Sequence, residues 1–211
     1  MSKLFVYLLI FPLFFMFEQE GFEKMSDVAS FRQGIDKMAA STQSIEASFQ
    51  QEKYLSILSS SVKSAGSMYF KKPGLLKWSY TEPYHYAILL NGDEIKINDE
   101  GKINSFEIKN SKIFKELNDL IINSVQGNVL QEERFDISYL ENNELYLARL
   151  VPKEEHLKEY IKQIDVYFEK SDFTVNKLQL YESGGDYTII SFQNKSLNAT
   201  LADHIFTFNK Q

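Results

Sequence analysis

The stretch Ser67-Met-Tyr-Phe-Lys-Lys-Pro-Gly-Leu-Leu-Lys-Trp-Ser-Tyr80 predicts a β-sheet with one apolar face. Apolar side chains recur at every second position on both sides of the Pro-Gly pair, at Met68 and Phe70 before it and at Leu76 and Trp78 after it. Successive side chains of a strand point to opposite faces, so this spacing indicates strands with one dry and one wet face.

The same alternation extends in both directions along the chain. It begins at about residue 43, where Ile45, Ala47 and Phe49 alternate with polar residues, and Asn91-Gly92 is a strong hairpin signal between predicted strands at 86–90 and 94–98. Further strands are predicted at 103–109, 134–140, 144–151, 162–169, 174–182, 186–194 and 204–208. About ten to eleven short antiparallel strands predict a sandwich or a barrel-like curved sheet.

Two segments have helical spacing instead. Ser26 and Asp27 predict the start of an amphipathic helix that runs to about residue 41. Residues 111–125 place Phe114, Leu117 and Ile121 on one apolar stripe, which needs an apolar surface to cover. The only large candidate is the concave face of the sheet, so this second helix is predicted to cover that face.

The N-terminus predicts export. Lys3 is followed by a fourteen-residue stretch without a charge, residues 4–17, and then by Glu18. As a helix this stretch would be about 21 Å long, shorter than the roughly 30 Å hydrocarbon layer. We therefore predict that residues 1–20 are a signal peptide, that residues 21–211 form one domain, and that the protein is periplasmic. A membrane anchor or a buried helix is the alternative.

Composition excludes several functions. The net charge of -6 disfavours nucleic acid as a partner, and the absence of cysteine excludes disulfides and thiolate metal sites. His85, His156 and His204 do not form a zinc motif, and the sequence has no nucleophile elbow or phosphate-binding glycine loop. The sequence predicts no cofactor, no metal and no enzymatic activity.

A cavity for acyl chains is the remaining prediction. Alternate side chains of a small barrel can line such a cavity, and each methylene removed from water contributes about 0.8 kcal/mol. The predicted cavity residues are the inward-facing apolar set Phe49, Met68, Phe70, Leu76, Trp78, Tyr80, Ile88, Leu90, Ile137, Ile164, Val166, Phe168, Leu178, Leu180, Ile190 and Phe192.

Several blocks, in order, resemble the LolA family of periplasmic outer-membrane lipoprotein carriers over roughly residues 28–208. The family pattern of two basic residues and a proline between strands matches Lys71-Lys72-Pro73. The other matching blocks are Ser48-Phe49-Gln50-Gln51, Tyr80-Thr-Glu-Pro83, Asn91-Gly92, Val175 to Glu182, Gly185 to Asn194, Asn198, Leu201-Ala-Asp203 and Phe206-Thr-Phe208.

The resemblance implies a mainly β fold, a half-open antiparallel barrel of about eleven strands covered by a helical lid. It implies a monomeric chaperone that receives acylated lipoproteins from an inner-membrane ABC transporter and delivers them to an outer-membrane acceptor. Phe114, Leu117 and Ile121 would belong to the lid. Lys72 occupies the position of the family's lid-tethering arginine, and its single ammonium group is a less rigid donor than a guanidinium.

Other functions remain open at this stage. The same shell could serve a periplasmic lipid-sensing regulator, a carrier of another acylated product, or an enzyme acting on a lipid-like substrate.

Overall fold

A single antiparallel sheet dominates the structure. The computed structural model describes residues 21–92, 94–107, 130 and 132–208. Twelve strands follow one another in space in the order β1-β8-β9-β10-β11-β12-β2-β3-β4-β5-β6-β7. Their bounds are β1 Glu23–Lys24, β2 Ser44–Leu55, β3 Ser60–Lys71, β4 Leu75–Glu82, β5 Tyr86–Asn91, β6 Glu94–Asp99, β7 Lys102–Glu107, β8 Phe135–Glu141, β9 Leu145–Pro152, β10 Ile161–Glu169, β11 Val175–Glu182 and β12 Tyr187–Leu197.

The predicted fold class is confirmed. Every strand pair is antiparallel, and the order begins at β1 and ends at β7, so the sheet is open. Side chains from β2 to β5 and from β10 to β12 line one cavity, as expected of a half-open barrel. The two-residue strand β1, which pairs with β8 through Glu23 and Glu141, had no signal in the sequence pattern. The predicted β5–β6 hairpin is present: Asn91 is the last residue of β5 and pairs with Glu94, and Gly92 begins the turn with a left-handed φ of +57°.

Helix α1, Val28–Ser41, begins as predicted. The Asp27 carboxylate is the N-cap and accepts hydrogen bonds from the backbone N–H of Ser30 at 2.9 Å and from its hydroxyl at 2.7 Å. Phe31, Ile35 and Met38 are buried, as the helical spacing predicted. A four-residue helix α2, Glu155–Lys158, connects β9 to β10.

The prediction of a strand at 204–208 is wrong. Asp203–Phe206 is a 3-10 turn, and Phe206 is buried with Leu201 against Leu89. Strand β12, which precedes this segment, already pairs with β11 on one side and with β2 on the other, so it offers no edge for a hairpin with a further strand. The apolar residues of this segment are buried by packing on the sheet instead, which alternation alone does not distinguish from strand pairing.

Two buried clusters lie on the concave side of the sheet. The first, which we call the filled core, joins α1 to β8, β9 and β10 and contains Met25, Phe31, Ile35, Phe135, Ala148, Leu150, Leu157, Ile161, Ile164, Val166 and Phe168. The second core joins β2 to β6 and contains Ile45, Ala47, Phe49, Met68, Phe70, Leu76, Trp78, Leu90 and Ile95.

Three predictions fall wholly or partly outside the described residues. These are the signal peptide at 1–20, the helix at 111–125 and the last residues of the predicted strand at 103–109. Within the described part of the chain, no helix has the length and apolar character needed to cross a bilayer.

Candidate functional site

An apolar cavity of about 240 Å³ lies between the filled core and the second core. Its volume is slightly below the roughly 300–1,000 Å³ of most small-molecule sites. The wall residues are Met38, Ile45, Ala47, Met68, Leu76, Trp78, Tyr80, Ile88, Leu90, Ile161, Ile164, Thr174, Val175, Leu178, Leu180, Ile190, Phe192, Lys195 and Leu197. A wall of this composition favours hydrocarbon over polar ligands.

Strand pairing places these side chains side by side. Trp78 of β4 is opposite Ile88 of β5, and in the next inward row Leu76 is opposite Leu90. On the other side of the cavity Leu178 of β11 is opposite Ile190 of β12. Because inward positions alternate along each strand, neighbouring strands present a continuous apolar surface.

Most of the predicted cavity residues lie on this wall. They are Met68, Leu76, Trp78, Tyr80, Ile88, Leu90, Ile164, Leu178, Leu180, Ile190 and Phe192. Their role in binding a lipid remains a prediction.

The other predicted cavity residues lie in the packed cores. Phe49 and Phe70 belong to the second core, and the Phe49 ring lies behind the wall, 4.3 Å from the ring of Trp78. Val166 and Phe168 belong to the filled core, and Ile137 packs against it. These side chains point inward as predicted, but they are not among the residues that line the cavity.

Some wall residues were missed by the sequence analysis. Ile45 and Ala47 belong to the alternation of β2 and could have been selected from it, whereas Met38 enters from helix α1. Ile161, Val175 and Leu197 lie at strand ends, where an apolar residue gives no signal of its own. Thr174 and Lys195 were not selected because they are polar.

Lys195 faces the cavity because of a β-bulge in β12. Gln193 pairs with Ser48 and Ser196 pairs with Glu46, so β12 carries one extra residue here. Asn194 has a φ of +51°. The bulge shifts the inward register from Phe192 to Lys195, in the way that bulges re-aim side chains.

The Lys195 ammonium group is held at the edge of the wall. Its Nζ donates to the Thr174 hydroxyl at 2.8 Å and to the Val175 carbonyl at 3.2 Å, and lies 3.5 Å from Glu169 Oε1. Its side chain is only 17% exposed. These contacts satisfy the charge and leave the centre of the cavity apolar.

Tyr80 is another wall residue with a polar group. Its hydroxyl donates to Gln51 Oε1 at 3.0 Å, and burial raises the pKa of Tyr80 above its ordinary value. The phenol therefore stays neutral, and its ring remains part of the apolar lining.

Lys72 connects helix α1 to the sheet. Its Nζ donates to the carbonyl of Ala39, in the last turn of α1, at 2.8 Å, and its backbone N–H donates to the Gln43 carbonyl at 2.8 Å. A lysine at a helix C-terminus also interacts favourably with the helix dipole. The predicted lid residues Phe114, Leu117 and Ile121 lie outside the described residues, so the observed contact of Lys72 is with α1.

The cavity wall carries few polar side chains. Among the described residues, no group of three or more histidine or acidic side chains is placed to hold a metal ion. Besides hydrocarbon, the wall offers the hydrogen-bonded side chains of Lys195, Thr174 and Tyr80 and the indole of Trp78.

Comparisons with known proteins identify the family of this chain. The profile of the family described as outer membrane lipoprotein carrier protein LolA matches residues 40–209, which include strands β2 to β12. An outer-membrane lipoprotein carrier protein of Pseudomonas putida is 28% identical over 178 residues, which cover 84% of this chain and 83% of that protein.

Solved structures show the same fold at low identity. An uncharacterised conserved protein of Thermus thermophilus has a TM-score of 0.53 and 8% identity, and the match covers 86% of this chain and 93% of that one. MucB has a TM-score of 0.53 and 9% identity, with 88% of this chain and 64% of MucB covered. The family profile covers most of the sequence, and the chain therefore belongs to the LolA family of outer-membrane lipoprotein carrier proteins.

Proposed function

We propose that the cavity binds the acyl chains of lipoproteins and that the protein carries them through the periplasm from the inner to the outer membrane. The observation that carries this proposal is the apolar cavity between the two cores, in a chain of a carrier family. No charge anchor is needed for affinity, because each buried methylene contributes about 0.8 kcal/mol.

Binding requires the cavity to expand. A volume of about 240 Å³ suits a single chain better than the three chains of a triacylated lipoprotein. Met38 of α1 lies on the wall, and the bond from Lys72 to Ala39 holds the same end of that helix. Movement of α1 away from the sheet would widen the cavity, so Lys72 is proposed as the tether of the closed state.

The remaining predictions complete the proposal. Residues 1–20 would act as the signal peptide, and residues 21–211 would form one monomeric lipid-binding domain in the periplasm. The cargo would come from an inner-membrane ABC transporter and pass to an outer-membrane acceptor. Phe114, Leu117 and Ile121 would complete the cover, and transfer would proceed without catalysis or cofactor.

Carriage of another acylated product is the second candidate. The small volume favours it, since a cavity of about 240 Å³ suits a single acyl chain better than three.

Co-elution tests the proposal. The protein is mixed with a triacylated lipoprotein in detergent, the detergent is removed, and the mixture is separated by size. We expect a stable complex with the acylated protein and none with the same lipoprotein whose acylated cysteine is replaced by serine. Equal behaviour of the two cargoes would contradict the proposal.

Native mass spectrometry separates the two candidates. Protein purified from its own envelope fraction should retain mass that corresponds to a lipoprotein anchor. A retained small anionic lipid would instead support the second candidate.

A further inference from the structure

The β2–β3 hairpin projects from one end of the sheet. Its strands pair from Ser44 with Lys71 up to Leu55 with Ser60. The neighbouring strand β4 ends opposite Ala65, and β12 begins opposite Tyr54. We call residues 54–62 the hairpin tip; of these, residues 55–62 extend beyond the last pairs with both neighbouring strands.

The apex of the tip is apolar and solvent-exposed. Ile57 is 90% exposed and Leu58 is 64% exposed, and Val62 on the returning strand is 46% exposed. Single exposed apolar residues are common on protein surfaces, but three within six positions form a patch. Such a patch on a projection is a candidate contact surface.

The sequence of the tip changes in polarity from apex to base. Residues 54–62, Tyr-Leu-Ser-Ile-Leu-Ser-Ser-Ser-Val, carry no charge, and Lys53 and Lys63 bracket them. At the base the ring of Tyr54 stacks on Tyr187, with centroids 5.0 Å apart. The same order is found across a bilayer interface, where aliphatic residues lie deepest, aromatic rings lie nearer the headgroups and lysines lie outermost.

Hydrogen bonds fix the tip on the next hairpin. The backbone N–H and the hydroxyl of Ser56 both donate to Asp186 Oδ1, at 2.9 Å and 2.7 Å. These bonds lower the pKa of Asp186, so its carboxylate stays charged and remains hydrogen-bonded to Ser56. Lys53 pairs with Glu182 at 3.1 Å, which leaves Lys63 exposed on the outer side of the hairpin.

We propose that the tip of the β2–β3 hairpin inserts into the headgroup region of a lipid bilayer, with Ile57 and Leu58 deepest and Lys63 at the phosphates. A bilayer accepts a convex apolar tip without a complementary surface. Three aliphatic side chains offer at most a few hundred Å², far less than the roughly 800 Å² per partner of a stable protein interface. This inference stands independently of the acyl-binding cavity.

The contact would be weak and reversible. A single fourteen-carbon acyl chain gives only marginal membrane binding, with an association constant of about 10⁴ M⁻¹. Two aliphatic side chains bury fewer methylenes than such a chain. The tip would therefore allow repeated visits to a membrane without anchoring the protein there.

Tryptophan fluorescence provides a local test. The chain has one tryptophan, Trp78 in the cavity wall, and the parent protein supplies that background. Ile57→Trp is compared with Val151→Trp, which is also exposed but lies on β9, four strands from β2. We expect a blue shift for Ile57→Trp, and not for Val151→Trp, on addition of phosphatidylethanolamine–phosphatidylglycerol vesicles without cargo.

Vesicle flotation provides the quantitative test. Protein is expressed from its full gene, purified from the envelope fraction, and its N-terminus is identified by mass spectrometry. Ile57→Ser combined with Leu58→Ser should weaken partitioning into these vesicles at least about tenfold, while Val151→Ser should not. Phosphatidylcholine vesicles should bind the parent more weakly, because they remove the attraction to Lys63.

Two outcomes would overturn the inference. One is the same emission from Ile57→Trp with and without vesicles, together with unchanged flotation of the double variant. The other is a parent dimer that the double variant converts to a monomer with no change in flotation, since the tip would then contact a second copy. Neither outcome would affect the co-elution of the parent with acylated cargo.

Discussion

The two sides of the concave face differ in what fills them. Against β8, β9 and β10, helix α1 inserts Phe31, whose ring centroid lies 4.9 Å from Tyr146 and 5.4 Å from Phe168. Gly34 of the same helix packs so closely on Phe173 that an added Cβ would lie 2.3 Å from its ring. Across the sheet, helix α1 supplies only Met38 to the cavity wall.

This difference distinguishes the filled core, which supports the fold, from the cavity wall, which can act as a binding surface. A filled core gains dispersion contacts on all sides, whereas a cavity wall lacks them on one side. Ligand hydrocarbon can supply the missing contacts, so the wall can favour binding while the filled core maintains the sheet.

Replacing one phenylalanine on each side with alanine should show the largest difference in stability between the two sides. Phe168 is fully buried in the filled core, and Phe192 is a partly buried wall residue. We expect Phe168→Ala to lower the free energy of unfolding by about 3–5 kcal/mol, and Phe192→Ala by about 1–2 kcal/mol, because the second enlarges an existing cavity. Urea denaturation measures both values, and equal losses would contradict the distinction between the two sides.

Replacing one alanine on each side with leucine tests the same difference by adding side-chain volume. Ala148 lies in the filled core and Ala47 on the wall, and both are buried on inward faces. Ala148→Leu should destabilise the protein by about 1–3 kcal/mol through overpacking. Ala47→Leu should change stability by less than about 1 kcal/mol, since its added carbons enter the cavity.

Ligand binding completes this test. A fluorescent fatty acid should bind Ala47→Leu more weakly than the parent, and should bind folded Ala148→Leu normally. Unchanged binding by Ala47→Leu would place the ligand elsewhere.

Acid should destabilise the side of the sheet that holds the filled core before it destabilises the other side. Glu141 accepts hydrogen bonds from Lys170 Nζ at 2.8 Å and from the Ser26 N–H at 2.7 Å, and these contacts lower its pKa to about 2. Because the folded pKa lies below the unfolded value, this stabilisation is present above about pH 4.5 and is lost as the pH falls toward about 2.

Glu141→Gln should therefore remove part of the acid dependence. We expect a loss of about 1–2 kcal/mol near neutral pH and a smaller difference from the parent near pH 3. Asp203→Asn is the control on the other side, because Asp203 has a lowered pKa from Lys71 but is exposed to solvent. Parallel pH dependence of the Glu141→Gln variant and the parent would contradict this assignment.

Removal of the bond from Lys72 to Ala39 should have a small effect on stability. Lys72→Met loses the 2.8 Å bond to Ala39, which should cost about 0.5–1.5 kcal/mol. If α1 must move to admit a ligand, the variant should take up the fluorescent fatty acid faster in stopped-flow measurements. Lys72→Arg should restore slower uptake, and identical rates for all three proteins would exclude a tethering role.

Local signals in the sequence were sufficient for most of the fold. Asp27 at the start of α1 specifies its conformation through its own hydrogen bond, and Gly92 at the β5–β6 turn does so through its φ angle. Alternation also predicted which faces of β4, β5 and β12 point inward. It failed at 204–208, because apolar residues can be buried by packing on a sheet as well as by pairing with it.

The candidate site was less accessible to sequence analysis. Phe168 and Phe192 have the same inward spacing, yet one is covered by α1 and the other borders the cavity. Lys195 faces inward through a one-residue bulge, which shifts the alternation without any hydrophobic signal.

The sequence by itself determined strands β2 to β12, most of their inward faces and the first helix, because alternation, turn and capping signals lie within a few residues of one another. Only the tertiary structure decided where α1 lies, and therefore which inward residues are packed and which line a cavity. That choice depends on contacts such as Phe31 with Phe168, which lie far apart in the chain and leave no local pattern.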